Sequence, residues 1–152
     1  MSLVFIIGTA GSGKSLLTAA FNEWLKLSKQ NVITVNLDPG VLTLPYTPEI
    51  DIRDYIKIEQ LMEQYELGPN GALIMAADLI AEETDRLGDE IASFRPDIVL
   101  IDTPGQMELF AFRASGPYIA SELTKEPKAI IYLFDSVSVS YTHLTLPTNR
   151  EV

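Results

Sequence analysis

Apolar residues in this chain fall into four short runs that are rich in β-branched side chains. They cover Leu3 to Ile7, Asn31 to Asn36, Asp97 to Ile101 and Lys128 to Asp135. Each of the first three ends in a turn that contains glycine or aspartate, which is typical of strands. Strands that are apolar on both faces predict a parallel sheet that is covered by helices on each side.

A helical pattern separates the first two predicted strands, between Lys14 and Lys29. Its apolar side chains recur at spacings of three and four residues: Leu16, Leu17, Ala20, Phe21, Trp24 and Leu25. This spacing predicts a helix whose apolar face packs on the sheet. Strands that alternate with helices make the predicted fold class α/β.

The connection between the second and third predicted strands is longer than a plain crossover. It holds a loop with Pro39, Pro45 and Pro48, then the segment 51–66, then a predicted helical stretch from Gly71 to Phe94. Excess length of this kind usually serves a binding site or an interface.

The length and the charge narrow the possible classes of protein. The 152 residues suffice for one compact domain. A net charge of −10 would repel a phosphate backbone, so we expect no direct nucleic-acid partner. The chain has no cysteine, which excludes disulfides and thiolate metal sites. With no signal-peptide pattern and no membrane-spanning stretch, we expect a soluble, cytoplasmic protein without a membrane partner.

The last sixteen residues, 137–152, depart from the α/β pattern. Serine, threonine and valine dominate there without helical spacing or glycine turns. We therefore predict one domain over 1–136 and a tail over 137–152 that is not native to the fold. A genuine terminal strand is the alternative, and the chain's single histidine, His143, receives no chemical role in either case.

The segment from Gly8 to Ser15 reads Gly-Thr-Ala-Gly-Ser-Gly-Lys-Ser and matches the phosphate-binding loop pattern G-x-x-x-x-G-K-[ST]. It follows a predicted strand and opens a predicted helix, which is the context that the motif requires. Backbone N–H groups and the helix N-terminus would then bind a triphosphate. The predicted nucleotide-binding residues are Gly8, Gly11, Ser12, Gly13, Lys14 and Ser15. A small residue at Gly11 would also suit the turn alone.

Roles for two of these side chains follow from the chemistry of phosphoryl transfer. Lys14 should neutralise the β- and γ-phosphates, and the Ser15 hydroxyl should be a ligand of Mg²⁺. Asp102 follows an apolar strand at the end where α/β proteins bind ligands, which makes it the predicted second metal-site residue. Gln106 comes just after Gly105, where its amide could orient an attacking water molecule.

Asp38 also follows a predicted strand, so we place it near the phosphate site. The sequence Asp38-Pro39-Gly40 is equally a common structural turn, and that alternative stays open. Asp135 after the fourth strand is ambiguous in the same way. Charged residues between Asp51 and Tyr55 are interpreted as a helix cap.

The chain resembles the GPN-loop GTPases, which are SIMIBI-type P-loop NTPases. The likeness covers Leu3 to about Ser136. Besides the phosphate loop it rests on Asn36-Leu37-Asp38-Pro39, Leu44-Pro45-Tyr46, Asp51-Ile52-Arg53-Asp54-Tyr55, Gly68-Pro69-Asn70 and Asp102-Thr103-Pro104-Gly105-Gln106.

This resemblance implies a three-layer P-loop NTPase sandwich with a mostly parallel sheet, truncated at its C-terminus in this chain. It implies a homodimer in which the Gly68-Pro69-Asn70 loop reaches the partner's nucleotide, so that Asn70 acts in catalysis. It also implies that Asp38 and Gln106 position the hydrolytic water. Eukaryotic relatives are linked to RNA polymerase II assembly, which suggests polymerase subunits as protein clients.

Two positions depart from the family pattern. Gly40 stands where the family usually has alanine after Asp-Pro. The family's guanine-reading Asn-Lys-x-Asp element lies beyond the fourth strand, where this chain has its unusual tail. Preference for GTP is therefore an implication of the resemblance and is not visible in these residues.

The function that these observations favour is a Mg²⁺-dependent GTPase that switches between GTP and GDP to act on a protein partner. One alternative is a small-molecule kinase whose long insert covers an acceptor substrate. The other is a non-catalytic nucleotide-binding or interaction module.

Overall fold

The computed structural model of the chain describes residues 1–105 and 115–134. The strands in this part are β1 Ser2–Gly8, β2 Val32–Asn36, β3 Ile50–Asp51, β4 Ile98–Asp102 and β5 Lys128–Leu133. The helices are α1 Lys14–Leu27, α2 Ile58–Gln64, α3 Pro69–Glu82, α4 Thr84–Ser93 and α5 Ser115–Glu122, with a 3₁₀ turn at Ile52–Asp54. The domain boundary predicted near residue 136 lies outside the described residues and stays a prediction.

The five described strands form one parallel sheet in the order β3-β2-β4-β1-β5. In the register of the sheet, Asp102 pairs with Ile6 of β1 and with Asn36 of β2. Their carboxyl ends therefore meet at one edge, where β1 leads into the phosphate loop. The predicted α/β class and its four strands are confirmed, whereas the two-residue β3 was missed.

Alternation along the strands divides the core into two layers. Leu3, Phe5 and Ile7 of β1 lie in the larger cluster, which also contains residues of α2 to α5. Ile6 faces the opposite way and packs with Leu25 of α1. Because side chains of a strand alternate between its two faces, this pattern puts helices on both sides of the sheet. The three-layer sandwich is thus observed.

The prediction for the buried face of α1 is partly wrong. Leu16 and Trp24 are 68% and 62% exposed, although their spacing fits an apolar face. The most buried positions of α1 are Lys14, Thr18, Asn22 and Leu25. The predicted Leu17 and Phe21 do pack against the smaller core cluster beside Leu25. The phosphate loop fixes where the helix begins and turns Lys14 inward. The residues one turn later are buried with it, since positions four apart share a face.

The predicted helical stretch from Gly71 to Phe94 is two helices with a break at Glu83. Beside the break, the hydroxyl of Thr84 donates to the carbonyl oxygen of Ala81 at 2.7 Å. Local hydrogen bonding of this type competes with a continuous helix. None of the described helices is both long enough and apolar enough to cross a bilayer.

Candidate functional site

The phosphate loop connects β1 to α1 through a backbone that favours glycine at two positions. Gly11 and Gly13 have φ angles of 79° and 96°, in the left-handed region that L-residues rarely adopt. Gly13 is also the N-terminal cap of α1. Gly8 ends β1, and Ser12 lies against it. The Ser12 hydroxyl is buried and has no hydrogen-bond partner in the described part of the chain.

Lys14 begins α1 and is almost fully buried, with 8% of its surface exposed. Its ammonium group interacts electrostatically with the carboxylates of Asp38 and Asp102. A Cβ atom added to Gly105 would lie 3.3 Å from Lys14 Nζ and 3.1 Å from the Cα of Ala10. The loop after β4 thus approaches the phosphate loop closely, and the buried cation lies between them.

Asp102, at the end of β4, is 1% exposed and accepts two hydrogen bonds on one oxygen. Ser15 Oγ donates to Asp102 Oδ2 at 2.7 Å, and the Tyr46 hydroxyl donates to the same atom at 2.9 Å. Burial raises the pKa of Asp102, while the two hydrogen bonds and Lys14 act to lower it. Burial and the neighbouring Asp102 raise the pKa of Tyr46, so its phenol stays protonated and remains a donor.

The chemistry around Asp102 fits a hydrated Mg²⁺ ion. The Ser15 hydroxyl donates a hydrogen bond to Asp102, so the lone pairs of Ser15 Oγ remain available to a metal. Asp102 Oδ1 is buried and accepts no hydrogen bond from the described residues. A metal-bound water could satisfy that oxygen. Within the described ranges there is no cluster of three or more acidic, histidine or cysteine ligands.

Asp38 lies half-buried in the turn after β2, where Asn36 holds its backbone. The Asp38 N–H donates to Asn36 Oδ1 at 3.0 Å, and Asn36 Nδ2 donates to the Asp38 carbonyl at 3.1 Å. The Asp38 carboxylate accepts the Gly40 N–H at 2.9 Å. Burial raises the pKa of Asp38, opposed by Gly40, Lys14 and Gly105. Asp38 can therefore belong to a structural turn and also lie near the phosphate site.

Behind this turn, Asn36 Nδ2 also donates to Asp51 Oδ1 at 3.0 Å. Asp51 forms an ion pair with Arg53 at 2.7 Å and accepts the Arg53 backbone N–H. The Arg53 guanidinium reaches the carbonyls of Val41 and Leu42 at 3.1 and 3.3 Å. The predicted cap is confirmed, since Asp51 caps the 3₁₀ turn Ile52–Asp54. Arg53 also stabilises the loop after Asp38 through its hydrogen bonds to Val41 and Leu42.

The segment after β4 is anchored by Thr103, whose hydroxyl donates to the Ile6 carbonyl at 2.8 Å. Gln106 follows Gly105 and lies outside the described residues, as does Asp135. Their predicted roles stay predictions.

Gly68, Pro69 and Asn70 are exposed at the start of α3, where Gly68 is the N-terminal cap and Pro69 the first helical residue. None of the hydrogen bonds in the described part of the chain joins Asn70 to the phosphate loop. One turn later, Leu73 lies close to the Asp38 turn, because a Cβ atom added to Gly40 would be 3.1 Å from Leu73 Cδ2.

Two residues with important contacts in the site, Asn36 and Tyr46, received no chemical role from the sequence. Tyr46 is 56 residues away from Asp102 along the chain, and no local pattern predicts their contact. The one signal was its place in the Leu44-Pro45-Tyr46 motif.

The chain matches, over residues 6–146, a family described as a conserved hypothetical ATP binding protein. It is 38% identical over 139 residues to GPN-loop GTPase 1 of Saccharomyces cerevisiae, covering 90% of this chain and 36% of that protein. It is 39% identical over 135 residues to a GPN-loop GTPase of Pyrococcus abyssi, covering 88% of this chain and 53% of that one. The chain thus spans between a third and about half of these relatives.

A solved structure of a GTPase in apo form from Pyrococcus abyssi superimposes with a TM-score of 0.76. The identity is 35%, and the match covers 97% of this chain and 62% of the solved one.

Proposed function

The chain belongs to the GPN-loop GTPase family, and from that premise we propose that it binds GTP with Mg²⁺ and hydrolyses it to GDP. The observation that carries this proposal is the arrangement at the end of β1. Buried Lys14 interacts electrostatically with the carboxylates of Asp38 and Asp102, and Ser15 donates a hydrogen bond to Asp102. A buried cation beside a helix N-terminus suits a polyphosphate.

In the proposed mechanism, Lys14 neutralises the β- and γ-phosphates, and the glycine-rich loop donates backbone hydrogen bonds to them. Ser15 and Asp102 would hold Mg²⁺, which would supply charge neutralisation at the phosphate oxygens. Asp38, together with Gln106, accepts hydrogen bonds from a water molecule and orients it. The water oxygen bonds to the γ-phosphorus, the bond to the β–γ bridging oxygen breaks, and the water proton ends on the released phosphate.

The finer parts of the proposal rest on the family resemblance. We propose a homodimer in which Gly68, Pro69 and Asn70 of one subunit act on the nucleotide of the other. Their exposure at the start of α3 is consistent with a contact to a second subunit. The GTP–GDP cycle would act on a protein client such as RNA polymerase subunits, in the cytoplasm.

The test is release of inorganic phosphate from GTP with Mg²⁺ and no second substrate. We expect release that stops in EDTA and in Lys14→Ala. A small-molecule kinase would need an acceptor, and a non-catalytic module would bind nucleotide without turnover, so no release would contradict the proposal. Parallel assays with ATP test the base, since the matched family is described by ATP binding and the relatives are named GTPases.

A further inference from the structure

The hydrogen bonds around Asp102 distinguish its two carboxylate oxygens. Oδ2 accepts from Ser15 at 2.7 Å and from Tyr46 at 2.9 Å, while Oδ1 accepts nothing from the described residues. Oδ2 therefore has a donor for each of its two lone pairs. Oδ1 is the oxygen that is left for a new partner.

Ser15 alone would not fix this arrangement. The terminal torsion of an aspartate is broad, so with one donor the carboxylate could twist about its Cβ–Cγ bond and turn Oδ1 away from the metal position. A second donor from a different direction restricts that rotation. Tyr46 supplies it from the loop between β2 and β3, whereas Ser15 belongs to the phosphate loop.

The loop that carries Tyr46 is itself held in place. Arg53 donates to the carbonyls of Val41 and Leu42, a few residues before Tyr46, and is paired with Asp51. Tyr46 is close enough to this pair to interact electrostatically with both charges. The phenol is thus presented to Asp102 by an anchored segment.

We propose that Tyr46 is a positioning residue of the magnesium site, which holds Asp102 so that Oδ1 faces the hydrated metal. The inference rests on the proposed function, because it assigns a role within the same site. The proposal also links the loop after Asp38 to the metal. Whatever stabilises the Tyr46–Asp102 contact should favour Mg²⁺ binding, and Mg²⁺ binding should stabilise that contact.

The experiment compares Tyr46→Phe with the wild-type protein. Tyr46→Phe keeps the ring and removes only the donor, and Asp102 Oδ2 retains Ser15, so we expect the protein to fold, as circular dichroism would verify. The dissociation constant of fluorescently labelled GDP is measured in MgCl₂ and in EDTA. The readout is the dissociation constant in EDTA divided by the dissociation constant in MgCl₂. This ratio isolates the contribution of the metal to nucleotide affinity.

We expect this ratio to fall about tenfold in Tyr46→Phe, the effect of losing one hydrogen bond to a charged group. The EDTA constant should stay near the wild-type value. Tyr65→Phe is the matched control, since Tyr65 is 49% exposed, and its ratio should equal that of the wild type. In an Asp102→Asn background, Tyr46→Phe should lower the ratio no further, because the carboxylate it positions is gone.

An unchanged ratio in Tyr46→Phe would overturn the inference while the proposed function stands. If both dissociation constants weakened equally, Tyr46 would have only a general packing role. A further reduction by Tyr46→Phe in the Asp102→Asn background would also contradict it. If the wild-type ratio were one, the magnesium dependence itself would be wrong, and the inference would fall with it.

Discussion

Asn36→Asp is a nearly isosteric change that tests how the Asp38 turn is held. Asn36 is fully buried, and its Nδ2 donates to the Asp38 carbonyl and to Asp51 Oδ1 at 3.1 and 3.0 Å. An oxygen in place of Nδ2 can donate to neither. Loss of one neutral and one charge-assisted hydrogen bond, with a second anion facing Asp51, should cost about 3–5 kcal/mol of the free energy of unfolding.

The assay is urea unfolding at pH 7, followed by circular dichroism. Asn31→Asp is the control, because Asn31 is exposed and its Nδ2 donates to the Arg95 carbonyl at 2.7 Å. We expect the control to lose about 1 kcal/mol or less.

The pH dependence gives a second reading of Asn36→Asp. Burial and the nearby Asp51 should raise the pKa of the introduced carboxyl in the folded state. The folded variant would then bind a proton more readily than the unfolded one. The difference in the free energy of unfolding between the wild type and Asn36→Asp should therefore become smaller as the pH falls from 7 to about 5. There the protonated acid can donate a hydrogen bond to Asp51 again. A loss no larger than that of Asn31→Asp, or a deficit that widens on acidification, would refute this reasoning.

Two further predictions concern the neighbouring ion pair and the dimer. Burial alone would raise the pKa of Asp51, but hydrogen bonds from Arg53 and Asn36 lower it. Because the pKa of Asp51 is lower in the folded state, the carboxylate stabilises the fold above its unfolded pKa. The wild type should therefore be about 2 kcal/mol more stable than Asp51→Asn in urea unfolding at pH 7, and this difference should shrink progressively as the pH falls below about 4; a constant difference would contradict this. Asn70→Ala and Lys14→Ala should each be nearly inactive, yet an exchanged equal mixture should recover roughly a quarter of wild-type GTPase activity, since half the dimers rebuild one site of two. A mixture with proven subunit exchange and no recovery would mean that Asn70 acts within its own subunit.

Much of the sheet was predictable because β1, β2 and β4 are mostly buried and end in recognisable turns. The largely exposed β5 was predicted from its β-branched and aromatic residues. The phosphate loop was also predictable from local sequence, because the positive φ angles of Gly11 and Gly13 favour glycine at these positions. The strand order was not, because it depends on which crossovers pack together. β3 was too short, at two residues, to leave a pattern.

The missed features of the site have one cause in common. The contacts of Tyr46 with Asp102 and of Asn36 with Asp51 join residues far apart in sequence. In α1, the periodicity of Leu16 and Trp24 favoured the wrong face, because the placement of Lys14 decided the rotation of the helix. Local patterns predict which residues form elements, and long-range packing decides which of them meet.

Lys14 and the loop around it should form a binding site for a nucleoside triphosphate. Calorimetric titration of the wild type, Lys14→Ala and Lys26→Ala with a non-hydrolysable GTP analogue and Mg²⁺ would measure this binding. Lys26 is the control, since it lies on the same helix with its side chain 51% exposed. We predict one nucleotide per wild-type chain and unchanged binding in Lys26→Ala. Binding in Lys14→Ala should be at least about thirtyfold weaker, the effect of losing a buried charge partner. Equal affinity of the wild type and Lys14→Ala would contradict the account.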